Sequence, residues 1–361
     1  MILQGENYMK KISVIRAGVS IDLFEYIENF YLISEKANPA LAELRKGLST
    51  WVSAECYSKM NISLWMYYDD RNPNAFCYYN GGENYIALSS SLLIELWNAA
   101  NDFVNKENIS SLFKISEVNK PKIIESLYFY MLNFTIAHEF GHIAHGHLKQ
   151  STRKKCIDEM MQISDKSSDG SERENNWLSQ LMEYDADSFA VAVNATLFIQ
   201  DWSDDIQTNL SNFDMLFISN YLCFRVFAEK TGRNFDRYFS KEIDEYDHPH
   251  PGIRMYYSYI LYAYWLGETH GFNDSTLMIL NSGCHAVVEY EKNILKRQEI
   301  KECYFSVAFT EKGVQHLMKL NNGWKDSIDY FNQFSYCQIR RVDEIDSMPF
   351  SLDKNGHFLK T

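Results

Sequence analysis

Residues 121–146 constrain this chain more than any other stretch. Ile124, Leu127, Met131, Phe134, His138, His142 and His145 recur at spacings of three and four. That repeat puts side chains on one face of an α-helix. Proline is favoured in a helix's first turn and glycine just after its last. Pro121 and Gly146 therefore bracket one long predicted helix. Ala137, Gly141 and Ala144 form a second stripe of small residues, where another backbone can approach closely. The same helix carries His138-Glu139-Phe140-Gly141-His142, an H-E-x-x-H. Two imidazoles four residues apart point the same way and can reach one metal ion. Glu139 projects beside them, placed to polarise a water without being a ligand.

A catalytic zinc takes three protein ligands and keeps a further position open. The metzincin spacing would need Gly at 145 and His at 148, but the chain has His145 and Leu148 there. The third ligand is therefore sought in Glu183-Tyr184-Asp185-Ala186-Asp187, with Glu183 the candidate. These residues fall in a helix predicted over 175–199, opened by Ser171 and Glu174 as a capping box. Asp187 shares a face with Glu183 and is placed to accept the second ring proton of a ligand histidine. Further on comes His248-Pro249-His250-Pro251-Gly252-Ile253-Arg254, whose prolines stiffen the segment. His248 or Arg254 is suited to donate to the oxyanion formed when water attacks a carbonyl. His145 reads as a packing or supporting residue one turn beyond His142, and the part played by His147 stays open.

Composition narrows the function classes. Lys plus Arg total 35 against 48 Asp plus Glu, for a net charge of −13, so nucleic-acid phosphates would repel the chain. Gln4, Glu6, Lys10 and Lys11 interrupt the apolar run that a secretory signal needs. No apolar run reaches the roughly 18 residues of a membrane span. The 7 cysteines are dispersed, odd in number and without a C-x-x-C pair, which predicts reduced thiols and a cytoplasmic setting. Strands are predicted at 62–68 and 85–89, separated by turn-rich sequence containing Gly81-Gly82. Helices are predicted at about 20–60, 92–100, 212–230 and 253–266, with a short one near 157–163. The expected organisation is an N-terminal helical region over 1–60, a catalytic core over 61–268 and a C-terminal accessory region over 269–361.

In order along the chain, four features resemble the HtpX-type zinc metallopeptidases. They are Asn74-Ala75-Phe76 followed by a strand and Ser91-Leu92-Leu93, the H-E-x-x-H helix with His147 beyond it, Glu183-x-x-Ala186-Asp187, and His248-Pro249 with Arg254. Two departures are the absence of a span and Ser91 where that family has Gly. Lit-type phage-exclusion peptidases, soluble bacterial zincins that cleave a host translation factor, fit the same motifs. Residues 134–142, F-T-I-A-H-E-F-G-H, and 183–190, E-Y-D-A-D-S-F-A, are also similar to ImmA/IrrE-type peptidases. The resemblance implies an α+β, zincin-like fold, mainly helical, with a small mixed sheet beside the active-site helix. It implies Zn2+ held by His138, His142 and Glu183, with Glu139 as general base. It also implies Asp187 supporting a ligand, and His248 and Arg254 near the cleft. The expected activity is zinc-dependent endopeptidase action on a protein or peptide substrate, in bacterial stress or phage defence. The rival expectation is a metal-stabilised binding or regulatory protein that has lost catalysis.

Overall fold

Alternating side chains build a small sheet with two unlike faces. The computed structural model describes residues 11–16, 19–25, 31–69, 71–113, 115–150, 156–158, 170–230, 248–297, 303, 305–339, 350–352 and 358–360. Six strands make the main sheet: β1 (Lys11–Arg16), β2 (Val19–Phe24), β3 (Ile62–Tyr67), β4 (Ala75–Asn80), β5 (Glu83–Ser89) and β6 (Cys156–Asp158). Their order is β1-β2-β3-β5-β4-β6, and β3 with β5 is the parallel pair. The strand β4, unforeseen in the turn-rich stretch, pairs with β5 so that Asn80 faces Glu83. The loop between them is Gly81-Gly82, with φ of 62° and 91°. Two successive positive φ values make the tight turn whose twist matches an antiparallel hairpin.

Leu64, Met66, Ala75, Cys77, Ile86 and Leu88 face the helices and join the main core. The alternate positions Trp65, Tyr67, Phe76, Tyr78 and Tyr85 face the other way and are also buried. Val14 and Leu23, from the curled β1–β2 ribbon, pack with them. The N-terminal region is thus not all helical: two strands precede α1 (Tyr31–Gly47) and α2 (Ala54–Met60). Strand pairing depends on a partner distant in sequence, which local periodicity does not report. Likewise 156–158 is a strand where a short helix was expected, and 159–163 lies outside the described residues.

The helices follow the periodicity more closely. After α3 (Ser90–Asn105) and the short α4 (Ile109–Leu112) comes α5 (Lys120–Ala144), the long helix expected over 121–146. Every residue from Met131 to Ala144 is buried. A helix apolar all round belongs at the centre of a domain, and α5 occupies that place. The short α6 (His147–Gln150) follows, then α7 (Gly170–Gln200) and α8 (Ile206–Lys230). The capping-box side chains of Ser171 and Glu174 lie outside the described residues. Last come α9 (Pro251–His270), α10 (Asp274–Glu289) and α11 (Glu311–Asn332).

The stripe of small residues on α5 is where α7 comes closest. A Cβ added at Gly141 would stand 3.0 Å from Phe189 Cβ and 3.2 Å from Ala186 Cα. Glycine there lets two backbones that carry reactive side chains lie side by side. A buried polar chain fixes the register of four helices: Asn133 donates to Asn194 at 2.5 Å, Asn194 to Asn220 at 3.3 Å, and Asn220 to the Tyr262 hydroxyl at 2.6 Å. Each of these groups would be costly to bury alone, so the chain rejects sliding of α5, α7, α8 and α9. The C-terminal helices share this core: Ile279, Leu280, Leu320, Trp324 and Ile328 belong to the same apolar cluster as Phe140.

Candidate metal centre

The site is assembled from three helices. On α5, His138, Glu139 and His142 fall on one turn. On α7, Glu183, Asp185 and Asp187 alternate at its middle. Pro251, at the first position of α9, starts the helix that carries Arg254, and His248 lies just before it. All of these side chains are buried, including Glu139 at 1% exposure and Arg254 at 1%. So many buried polar groups are tolerated only where they satisfy one another.

His138 Nε2 and His142 Nε2 are 3.0 Å apart. Glu183 closes the triangle, with Oε2 3.3 Å from His138 Nε2 and Oε1 3.3 Å from His142 Nε2. The tautomers follow from what lies behind each ring. His138 Nδ1 is 2.7 Å from Asp187 Oδ1. An ionised carboxylate only accepts, so the His138 proton sits on Nδ1 and Nε2 offers a lone pair. His142 Nδ1 lies 2.8 Å from Nδ1 of His147, and His147 Nε2 lies 3.1 Å from Asp185 Oδ2. With the His147 proton on Nε2, the side of the Asp185 carboxylate, His142 donates from Nδ1, and its Nε2 also offers a lone pair.

Two imidazole lone pairs and a carboxylate therefore converge with no proton to share. Such an arrangement is repulsive unless a cation joins it. Ligand bonds of about 2.0–2.1 Å at tetrahedral angles put ligand atoms about 3.3 Å apart. The observed edges of 3.0, 3.3 and 3.3 Å fit a zinc-sized ion. The titration behaviour agrees. Burial lowers the His142 pKa to about 4, so its ring is neutral near pH 7. Burial alone would raise Glu183, but His248, His142 and His138 outweigh it and hold its carboxyl well below the usual range.

Asp187 is the hub behind the ligands. Arg254 donates to it in bidentate fashion, Nε to Oδ2 at 2.7 Å and Nη2 to Oδ1 at 2.8 Å. The Tyr257 hydroxyl also donates to Oδ2. Burial would raise the Asp187 pKa, yet Arg254 and His138 lower it to about 2. The Arg254 guanidinium stacks 4.9 Å over the Phe224 ring of α8 and stands 3.7 Å from Glu183 Oε2. It is thus engaged behind the ligands. His248 Nε2 is 3.4 Å from Glu183 Oε1, at the edge of the ligand set.

Every residue singled out in the sequence comes together here: His138, Glu139, His142, Glu183, Asp187, His248 and Arg254. Sequence reasoning passed over Asp185, Tyr257 and Trp324. Asp185 had a signal, a third carboxylate inside the Glu183–Asp187 run. Burial would raise its pKa, but His145 and His147 reverse that and hold it ionised. Trp324 had none, since it stands in a region without motifs.

Among the described residues no helix is long and apolar enough to cross a membrane. No curated protein and no solved structure matches the chain significantly. The family model of peptidase family M48 matches residues 42–167, less than half of the chain. That stretch holds strands β3–β6, His138, Glu139 and His142; Glu183 lies beyond it, and its place in the site rests on the geometry above. With this match the chain is a zinc metallopeptidase, a hydrolase.

Proposed function

We propose that the protein is an endopeptidase with a zincin-like core that hydrolyses peptide bonds of a protein substrate. The observation that carries this reading is the convergence of His138, His142 and Glu183, with buried Glu139 on the same helical turn as the two histidines. Zinc bound there would lower the pKa of its water to near 7 and polarise the scissile carbonyl. Glu139 takes the proton of the attacking water and passes it to the leaving amine. His248 is the better placed of the two candidate oxyanion donors, because Arg254 is committed to Asp187. The low dielectric of the buried site strengthens each of these interactions.

An extended peptide suits the sheet, whose outer strands β1 and β6 each leave one edge free of a neighbour among the described strands. We place the activity in the cytoplasm, on the dispersed thiols, and in bacterial stress or phage defence, on the likeness to Lit-type peptidases. Incubating the purified protein with a peptide library, with and without a chelator, tests the activity. The expected result is a defined set of internal cleavages, abolished by the chelator and restored by zinc. Full zinc occupancy with no cleavage of any peptide or folded protein would favour the silent binding protein instead.

A further inference from the structure

His138 and His142 are supported differently. His138 rests on the carboxylate of Asp187, while His142 rests on another imidazole, His147. A ligand histidine needs its second ring nitrogen held, or the ring can turn and its lone pair leaves the metal. His147 can do this only if its own proton is fixed on the far side. Asp185 is the carboxylate on that side, its Oδ2 in charge contact 3.1 Å from His147 Nε2 without an aligned hydrogen bond, and Asp185 is itself shared: His145 Nδ1 reaches Oδ2 at 2.5 Å and Trp324 Nε1 donates to Oδ1 at 2.8 Å.

His145, His147 and Asp185 also have the composition of a metal site. The distances decide against it. The 2.5 Å between His145 Nδ1 and Asp185 Oδ2 is a direct hydrogen bond, well short of the roughly 3.3 Å between two ligands of one ion. The other Asp185 oxygen takes an indole N–H, which donates only. The cluster is a hydrogen-bonded support.

A second observation ties the same C-terminal segment to this end of α5. The last carbonyls of a helix lack partners within it. Here Tyr336 N donates to Ala144 O at 2.8 Å, Cys337 N to Ala144 O at 3.2 Å, and the Ser335 hydroxyl to His145 O at 3.0 Å. Gly146 has φ of 72°, and a Cβ there would stand 2.2 Å from Phe334 O, so the turn into His147 is moulded to that segment.

We propose that His147, Asp185 and Trp324 are positioning residues for the metal ligand His142, so that α11 completes the metal centre from a distant part of the chain. The proposal rests on the reading of His142 as a zinc ligand. It makes residues 311–337 part of the centre, where sequence gave them no role.

The test is metal affinity by competition with a chromophoric chelator, together with the visible spectrum of the Co(II)-loaded protein. Thermal melts of the metal-free variants check folding. His147→Leu is expected to bind zinc about 10–100-fold more weakly and to alter the Co(II) bands. His147→Asn, which keeps an acceptor oxygen towards His142, is expected to recover at least about threefold of that loss. Trp324→Phe keeps one aromatic ring and loses the N–H together with the five-membered ring of the indole; the expected loss is about three- to tenfold, smaller because it acts through two further residues. In the double variant Trp324→Phe should cost nothing beyond His147→Leu, whereas a purely structural tryptophan would cost the same in both backgrounds. That additivity, or wild-type affinity in His147→Leu, would overturn the proposal while leaving His142 a ligand. A wild type without metal, or His142→Ala binding as tightly as wild type, would remove the parent reading and this one with it.

Discussion

Glu139→Gln is expected to keep zinc at the wild-type level and to lose about a hundredfold to ten-thousandfold in kcat. Glutamine matches glutamate in shape but cannot take a proton. The ligands His138, His142 and Glu183 are untouched, so metal content and the Co(II) spectrum should not change. The loss should fall on kcat more than on KM, because proton transfer belongs to the transition state and not to substrate binding. Burial of Glu139 at 1% exposure sharpens the contrast, since little bulk water reaches that position to replace it as base. A Glu139→Gln variant that retains most of its turnover would end the assignment of Glu139 as general base. Loss of zinc together with activity would show that Glu139 holds the metal or its neighbours instead.

Arg254→Met is expected to produce the largest loss of stability of any single change at the site, about 3–5 kcal/mol in the metal-free protein. The guanidinium lies between two buried carboxylates, bidentate to Asp187 and 3.7 Å from Glu183. Methionine replaces much of its volume and none of its charge. The variant leaves Asp187 with only the Tyr257 hydroxyl and the His138 ring as donors. Removing one partner of a buried pair strands the other, and that cost exceeds any loss of packing. Arg254→Lys restores a charge without the planar fork and should recover only part of the loss. Denaturant unfolding of the metal-free proteins measures both variants. A change below about 1 kcal/mol would mean that Asp187 does not depend on Arg254.

What the sequence disclosed follows from how local each feature is. The relation of His138 to His142 is set by the helical repeat alone, so it was readable from spacing. Glu183 and Asp187 share a face by the same rule, and the stripe of Ala137, Gly141 and Ala144 marked where a second backbone fits, though not that α7 supplies it. The sheet was half legible. Strands β3 and β5 are short apolar runs, buried on both faces, whereas β4 sits among Asn, Pro and Gly and declares itself only through its pairing with β5. The β1–β2 ribbon likewise owes its place to partners.

The support behind His142 was illegible for a different reason. Trp324 and Asp185 meet across a separation of 139 residues. Neither belongs to a periodic pattern that points at the other. A tryptophan on an amphipathic helix reads as core, and Trp324 is core as well: its ring packs 5.6 Å from that of Tyr184. Its indole N–H becomes informative only once Asp185 is seen to need a donor. Arg254 shows the same limit. Its motif brought it to the site, but its bidentate hold on Asp187 depends on the crossing of α7 and α9, which spacing does not encode.

The most direct test of the account is elemental analysis of the purified wild type beside His142→Ala and Glu183→Ala. The account predicts about one zinc per chain in the wild type and close to none in either variant, because two ligands rarely hold a catalytic ion. Zinc retained at full occupancy in Glu183→Ala would contradict it, and would place the third ligand outside the triangle formed by His138, His142 and Glu183.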